Sequence, residues 1–372
     1  MLTPRDNPNL FGHEAAEALF LEDFRRGKLH HAYLLTGPKG IGKATLAYRL
    51  ARFFLSQGAG SAAPAPAPEE HALSLFGDLP AATAPEPQSQ HGLAMATDNP
   101  IFRRVAASSH TDLLAIQPEY DAKKHTEKSE ISVDQAREIP QFLSLTPAES
   151  SWRVVIIDAV DQLNHNAANA LLKILEEPPP RSILLLVCHV PGKLLATVRS
   201  RCRLLRLTSP SREDFSRILS EACPEIPAAD HAGLFALAGA SPGRAHMLYE
   251  KKALALYREI LAAMQPGSGA SQRASLLQKL AATKSPEQQE VFYYCWQIAM
   301  DRLQLAPHLD HLTVLDGDER AQILALAAHF THSERRIWRE RAQKLWRETG
   351  VYNLDKSRSF GLMLDPARLE LV

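Results

Sequence analysis

The chain reads as an α/β protein built on a parallel sheet flanked by helices, followed by an all-α remainder. Three observations predict this. Two apolar runs, at 154–157 and 183–187, show no polar alternation, as strands buried on both faces of a parallel sheet should. The stretch between them, NAANALLKILEEPPP at 166–180, has helical apolar spacing and a proline stop. Beyond residue 208 the strand signatures end and one amphipathic helical stretch follows another.

The bulk composition narrows the function classes. With 372 residues there is room for two or three domains. The 42 basic and 42 acidic residues cancel, which argues against a chain that grips nucleic acid by charge alone. Four cysteines (188, 202, 223, 295) are scattered with no C-x-x-C pair, so neither a disulfide nor zinc is expected. The start, MLTPRDNPNLFGHE, has no signal-peptide pattern, and no apolar run approaches membrane-span length. A cytoplasmic protein without membrane contact is expected.

Taken in order, residues 1–12 form a loop and 14–26 an amphipathic helix. Leu10-Phe11-Gly12-His13 stands before that helix as a hydrophobic staple. Residues 32–36 are a strand that runs into Gly37-Pro38-Lys39-Gly40-Ile41-Gly42-Lys43, and a helix follows to about residue 54. This G-x-x-x-x-G-K loop lies in its required setting between strand and helix. Glycines let backbone N–H groups turn around phosphate, the helix N-terminus adds partial positive charge, and Lys43 reaches the outer phosphates. The next residue is Ala44, where a Ser or Thr hydroxyl would hold Mg²⁺. Thr45 lies about 100° further round the helix and does not replace it. The residues leave ATP, ADP or an empty loop as alternatives, with Mg²⁺ short of a ligand.

Residues 56–99 are rich in Ala, Pro, Gly and Ser, and read as a flexible insertion with a short docking turn as one option at 73–76. A strand resumes at 112–116, a polar loop spans 120–130, and Ser132 with Gln135 forms a capping box for a helix to about 145. Arg137 faces out from that helix, and Pro140 should kink it. The central strand ends in Asp158, at the carboxyl end where α/β folds place ligands. Asp158 is the candidate Mg²⁺ carboxylate, but Ala159 follows where a water-orienting carboxylate is needed. Asp161 is too far along to replace it. Asn164 caps the next helix, which packs Ala167, Leu171, Leu172 and Leu175 on the sheet. Cys188 ends the following strand. LLATVRSRC at 194–202 then leads into a strand at 204–207.

The run NAANALLKILEEPP followed by LLATVRSRC resembles the clamp-loader AAA+ proteins of bacterial DNA polymerase III. The resemblance covers nearly the whole chain apart from the Ala/Pro-rich insertion. It implies an AAA+ core at 1–208, a helical lid at 209–250 and a helical collar at 251–372 that joins subunits into a hetero-oligomeric ring. It implies that Gly37, Gly40, Gly42, Lys43, Thr45 and Asp158 form a nucleotide-binding set. In the family the Arg of Ser200-Arg201-Cys202 reaches a neighbouring subunit's ATP, so Arg201 is the candidate trans-acting finger and Ser200 and Cys202 its interface setting. Arginine suits this because its planar fork donates to several phosphate oxygens and stays charged. The segment at 10–13 packs on adenine in relatives, and the zinc module many relatives carry in the insertion has no cysteine here. Ala44, Ala159 and Cys188, the last at a position usually Thr in hydrolysing relatives, are departures on hydrolysis parts. The implied partners are gamma/tau-type ATPase subunits, a delta-type clamp-opening subunit, the sliding clamp and primed DNA. Arg137 is a candidate DNA contact by resemblance only. Alternatives are a loader ATPase that hydrolyses ATP itself, and an AAA+-like scaffold that uses nucleotide structurally.

In the remainder, helices are expected from Ser211, from Asp230 and from the 239–244 turn, where Arg244 stands one residue late for a second-sensor arginine. Phe292, Tyr293, Trp296 and Met300 make an aromatic stripe that reads as core. Trp338 and Trp346, eight residues apart on one helix face, fit core or interface equally.

Overall fold

A computed structural model describes residues 3–57, 93–121, 126–127, 130–267, 269–282, 285–311, 313, 316–352 and 354–366. The chain divides into two compact units, residues 2–208 and 209–372.

The first unit begins with α1 (Glu14–Arg25), β1 (Ala32–Thr36) and α2 (Lys43–Ser56). Most of the expected insertion, with its suggested docking turn, lies outside the described residues. Its last part does not behave as an insertion. Leu93 is buried in the sheet-side core, and Met95 packs against the same cluster. A helix not expected from the sequence follows, α3 (Pro100–Ala106). Asn99 caps it by accepting from Ile101 N–H, and Pro100 fills the first position, where its missing N–H costs nothing.

Strand β2 (Leu113–Ile116) starts one residue later than expected, because Asp112 turns inward as a buried anchor. Its carboxylate accepts from the N–H groups of Ala148, Glu149 and Ser150 at 2.7–2.8 Å. The expected polar loop contains a small antiparallel ladder, β3 (Tyr120–Asp121) with β4 (Thr126–Glu127). The capping box of Ser132 and Gln135 starts α4 (Val133–Ser144), which continues through Pro140. Arg137 is exposed there and pairs with Asp134. Strand β5 (Arg153–Asp158), helix α5 (His165–Glu176), strand β6 (Ser182–Cys188), short helix α6 (Ala196–Arg199) and strand β7 (Arg203–Arg206) complete the unit. Asn164 caps α5 by accepting from Ala167 N–H at 2.9 Å.

The five-stranded sheet has the order β2-β5-β6-β1-β7, with every pair parallel. Side chains alternate across it with period two. Tyr33, Leu35, Val154, Ile156, Ile183, Leu185 and Val187 enter one apolar layer with α2. Ala32, Leu34, Val155, Ile157, Leu184, Leu186 and Cys188 enter the other, with α4 and α5. All seven residues of β6 are buried, so burial on both faces is why the run shows no alternation. Each fully buried Leu or Ile there contributes about 1.5–3 kcal/mol.

The second unit is all α: α7 (Arg212–Ala222), α8 (Ala228–Ala238), α9 (Pro242–Glu250), α10 (Ala253–Met264), α11 (Gly269–Ala282), α12 (Pro286–Gln304), α13 (Gly317–His329), α14 (His332–Val351) and α15 (Lys356–Met363). Helix α8 starts at Ala228 after Pro227, two residues before Asp230. The helices expected as lid and as collar share one apolar core, from Phe215 and Leu219 through Trp296 to Phe360 and Met363. Both candidate tryptophans of α14 face inward. Trp338 is buried and donates from Nε1 to Met363 O, and Trp346 stacks on Tyr293 with centroids 4.4 Å apart. Tyr257, Arg302 and Glu319 form a buried polar knot on α10, α12 and α13, in which Arg302 and Tyr257 both donate to Glu319 Oε1.

Candidate functional site

The loop between β1 and α2 is shaped by close approach as much as by turning. Gly37 has φ +149°, and a Cβ there would lie 2.4 Å from Leu207 O and 2.9 Å from Ile41 Cδ1. Gly42, at φ +106°, caps α2, and a Cβ there would meet Leu10 Cδ1 at 2.9 Å. Gly40 also has positive φ. Only glycine fits this backbone. The segment at 10–13 therefore packs directly on the loop, where buried His13 places Nε2 2.6 Å from Ile41 O.

Lys43 is 2% exposed and donates from Nζ to Gly37 O at 2.6 Å and Pro38 O at 2.5 Å. Burial lowers it to about 8, with Asp158 the leading opposing influence. The lysine is thus turned onto the loop's own carbonyls, and holding a phosphate requires it to exchange these partners. Thr45 is buried one position past Ala44, so no hydroxyl stands where Mg²⁺ coordination needs one.

Asp158 ends β5 half-buried, and Ala159 behind it is 1% exposed. Asp161 has a structural task. Its two oxygens accept from His189 N–H at 2.8 Å and Val190 N–H at 3.1 Å, closing the end of β6. The Cys188 thiol beside it is pushed up to about 12, by burial first and then by the Asp161 charge. His189 is pushed down to about 4, by burial first and then by Lys43, so it is neutral near pH 7. Glycine backbone and lysine suit an anionic ligand, but no side chain at position 159 can orient an attacking water.

Arg201 stands elsewhere. It follows α6, ahead of β7, whose register pairs Arg203 with Tyr33 and Arg206 with Thr36. The arginine therefore sits at the amino edge of the sheet, whereas the loop, Asp158 and Cys188 sit at the carboxyl edge. Three strand residues at about 3.3 Å each put at least about 10 Å between the two edges. Arg201 is about one-third exposed, donating from Nη2 to Glu176 Oε1 at 2.9 Å and from Nη1 to Thr197 O at 3.1 Å. Ser200 Oγ donates to Thr197 O and Cys202 Sγ to Val198 O, so the whole motif folds onto α6. Burial pushes the Cys202 thiol up to about 12.

The structure thus gathers Gly37, Gly40, Gly42, Lys43, Thr45 and Asp158 into one place and holds Ser200, Arg201 and Cys202 apart from it. Arg244 is placed within the helical unit, donating to Ala238 O and Tyr294 Oη at 3.4 Å, with its guanidinium over the Tyr294 ring. The partnerships of Asp161, His13 and Glu176 were not read from the sequence. Of these, only the double glutamate at 176–177 carried a signal. Among the described residues no helix is long and apolar enough to cross a membrane.

Known proteins resemble this chain over part of its length. The family described as "DNA polymerase III, delta subunit" matches residues 86–211, the span that carries β5, α5, β6 and the Ser-Arg-Cys motif. The DNA polymerase III subunit delta' of Pseudomonas aeruginosa is 33% identical over 233 residues, 63% of this chain and 60% of that protein. The subunit of the same name from Escherichia coli is 29% identical, covering 61% and 57%. DNA polymerase III subunit gamma of Buchnera aphidicola is 28% identical, covering 58% of this chain and 48% of that one. The chain thus matches less than two thirds of each relative's length. In its parallel α/β core, glycine loop and Ser-Arg-Cys motif, the chain is similar over these spans to the delta-prime subunits of DNA polymerase III.

Proposed function

We propose that this chain works in the cytoplasm as a delta-prime-type clamp-loader subunit that supplies Arg201 to ATP bound by a neighbouring subunit, while its own loop does not turn ATP over. The observation that carries this reading is the separation of the two parts. The arginine motif is intact and partly exposed at the amino edge, while the loop at the carboxyl edge lacks the hydroxyl at 44 and the carboxylate at 159. Arg201 is about 10 Å or more from its own loop along the strands, too far to serve it.

The partners in this reading are gamma/tau-type ATPase subunits and a delta-type subunit in a hetero-oligomeric ring that places a sliding clamp on primed DNA. A nucleotide in the chain's own loop, ATP or ADP, would be held by the glycine backbone and Lys43 and would serve structure. The first test is turnover by the isolated chain. Steady ATP hydrolysis abolished by Lys43→Ala would overturn the reading in favour of a self-sufficient ATPase. Absent turnover, together with co-purification with the gamma/tau-type subunit, supports it.

A further inference from the structure

A third group of chemically competent side chains lies in the helical unit. Cys223 caps the end of α7, Glu225 follows in the turn to α8, and His246 projects from α9. The sulfur, a carboxylate oxygen and an imidazole nitrogen of these residues all lie within 4.8 Å of one another. We infer that Cys223, Glu225 and His246 form a binding site for a thiophilic divalent cation, zinc above all.

The turn is built to hold these groups. Ile226 N–H donates to Cys223 O at 3.0 Å, which fixes the spacing of Cys223 and Glu225, and Ile226 anchors the turn in the helical core. Tyr249 Oη donates to Glu225 O at 3.0 Å, tying the turn to α9. On His246, Nε2 faces Glu225 Oε1 at 3.1 Å while Nδ1 faces Glu250 Oε2 at 3.8 Å. A carboxylate behind the distal nitrogen is the usual device that fixes the tautomer of a metal-binding histidine, leaving Nε2 to coordinate. Cys223 is fully buried, His246 is mostly buried, and Glu225 and Glu250 are open to solvent, so an ion approaches from the carboxylate side.

Zinc takes thiolate at about 2.3 Å and imidazole or carboxylate at about 2.0–2.2 Å in a tetrahedron. Ligand atoms then stand about 3.5 Å apart, so these three need to close by no more than about 1.3 Å, with water as fourth ligand. A thiolate ligand selects zinc over Mg²⁺ or Ca²⁺. On binding, the thiol proton leaves to solvent and a sulfur–metal bond forms. Cysteine spacing alone did not foretell this site, because its ligands are a lone C-x-E and a histidine 23 residues beyond the cysteine. It is independent of the role proposed for Arg201.

The test uses the full chain, freed of metal with a chelator and titrated with Co²⁺, then with Zn²⁺ in competition. One equivalent of Co²⁺ should give a thiolate charge-transfer band that Zn²⁺ abolishes and excess Mg²⁺ does not. Glu225→Gln and His246→Gln should each weaken Zn²⁺ binding tenfold or more while leaving metal-free melting unchanged, and Cys223→Ser should remove the band. If Cys223→Ser does not fold, the other two variants decide alone, since neither side chain belongs to the apolar core. A missing or non-saturable band, a band that survives in a folded Cys223→Ser, or Zn²⁺ affinity unchanged in the Glu225 and His246 variants would overturn the site.

Discussion

Arg201 donates to Glu176 across 2.9 Å, joining the turn after α6 to the last residue of α5. The pair sits at the edge of the sheet opposite the glycine loop, and both side chains are partly exposed. Exposed pairs of this kind are worth about 0–1 kcal/mol. A pair of this strength orients the arginine without fixing it, as the role proposed for Arg201 requires.

Glu176→Gln should leave the melting temperature almost unmoved and keep, or raise by a few-fold, the ATPase rate of an assembled loader. Thermal melting beside steady-state turnover checks this. A tenfold fall in turnover with intact assembly would mean that Glu176 positions the finger during the reaction and does not merely hold it beforehand.

Lys43 supplies a pH signature. Its folded-state value is about 8, against an ordinary 10.5, chiefly because burial disfavours the charge. Between those values the unfolded chain holds a proton that the folded chain has released, so this residue's contribution to stability rises with pH across the window. The melting temperature of wild type minus that of Lys43→Met should increase from about pH 8 to pH 10. A flat or falling difference would show that the lysine is not held as a buried amine.

The knot of Tyr257, Arg302 and Glu319 predicts a large stability effect within the helical unit. Arg302 is 6% exposed and Glu319 3% exposed, and Arg302 also donates to Ala236 O and Thr313 O. Glu319→Ala leaves a buried guanidinium without its counter-charge and should cost about 3–5 kcal/mol. Chemical denaturation of the full chain measures it. A loss under about 1 kcal/mol would mean that water replaces the carboxylate.

Much of this fold was legible because its signals are local. The β-branched runs, the caps at Ser132 and Asn164 and the glycine loop each declare themselves within a few residues. Helix α3 had a local signal too, Asn99-Pro100 ahead of Ile101, Phe102 and Val105, but the Ala/Pro-rich composition before it hid the boundary. The remaining surprises are long-range. Asp161 reaches His189, Asp112 reaches Ala148–Ser150, Arg302 joins Tyr257 to Glu319, and His13 meets Ile41. No periodicity encodes such meetings, because they depend on where whole elements come to rest. At the candidate site, Ala44 and Ala159 are read directly from the sequence, whereas the opposition of Arg201 to the loop required the strand register.

The most direct measurement is DNA-stimulated ATPase of the reconstituted loader containing either this chain or its Arg201→Ala variant, with equal assembly verified by gel filtration. Action of Arg201 in trans predicts a fall of tenfold or more, about 1.4 kcal/mol or more in the barrier. An unchanged rate in a fully assembled complex would contradict it and leave the chain a purely architectural role.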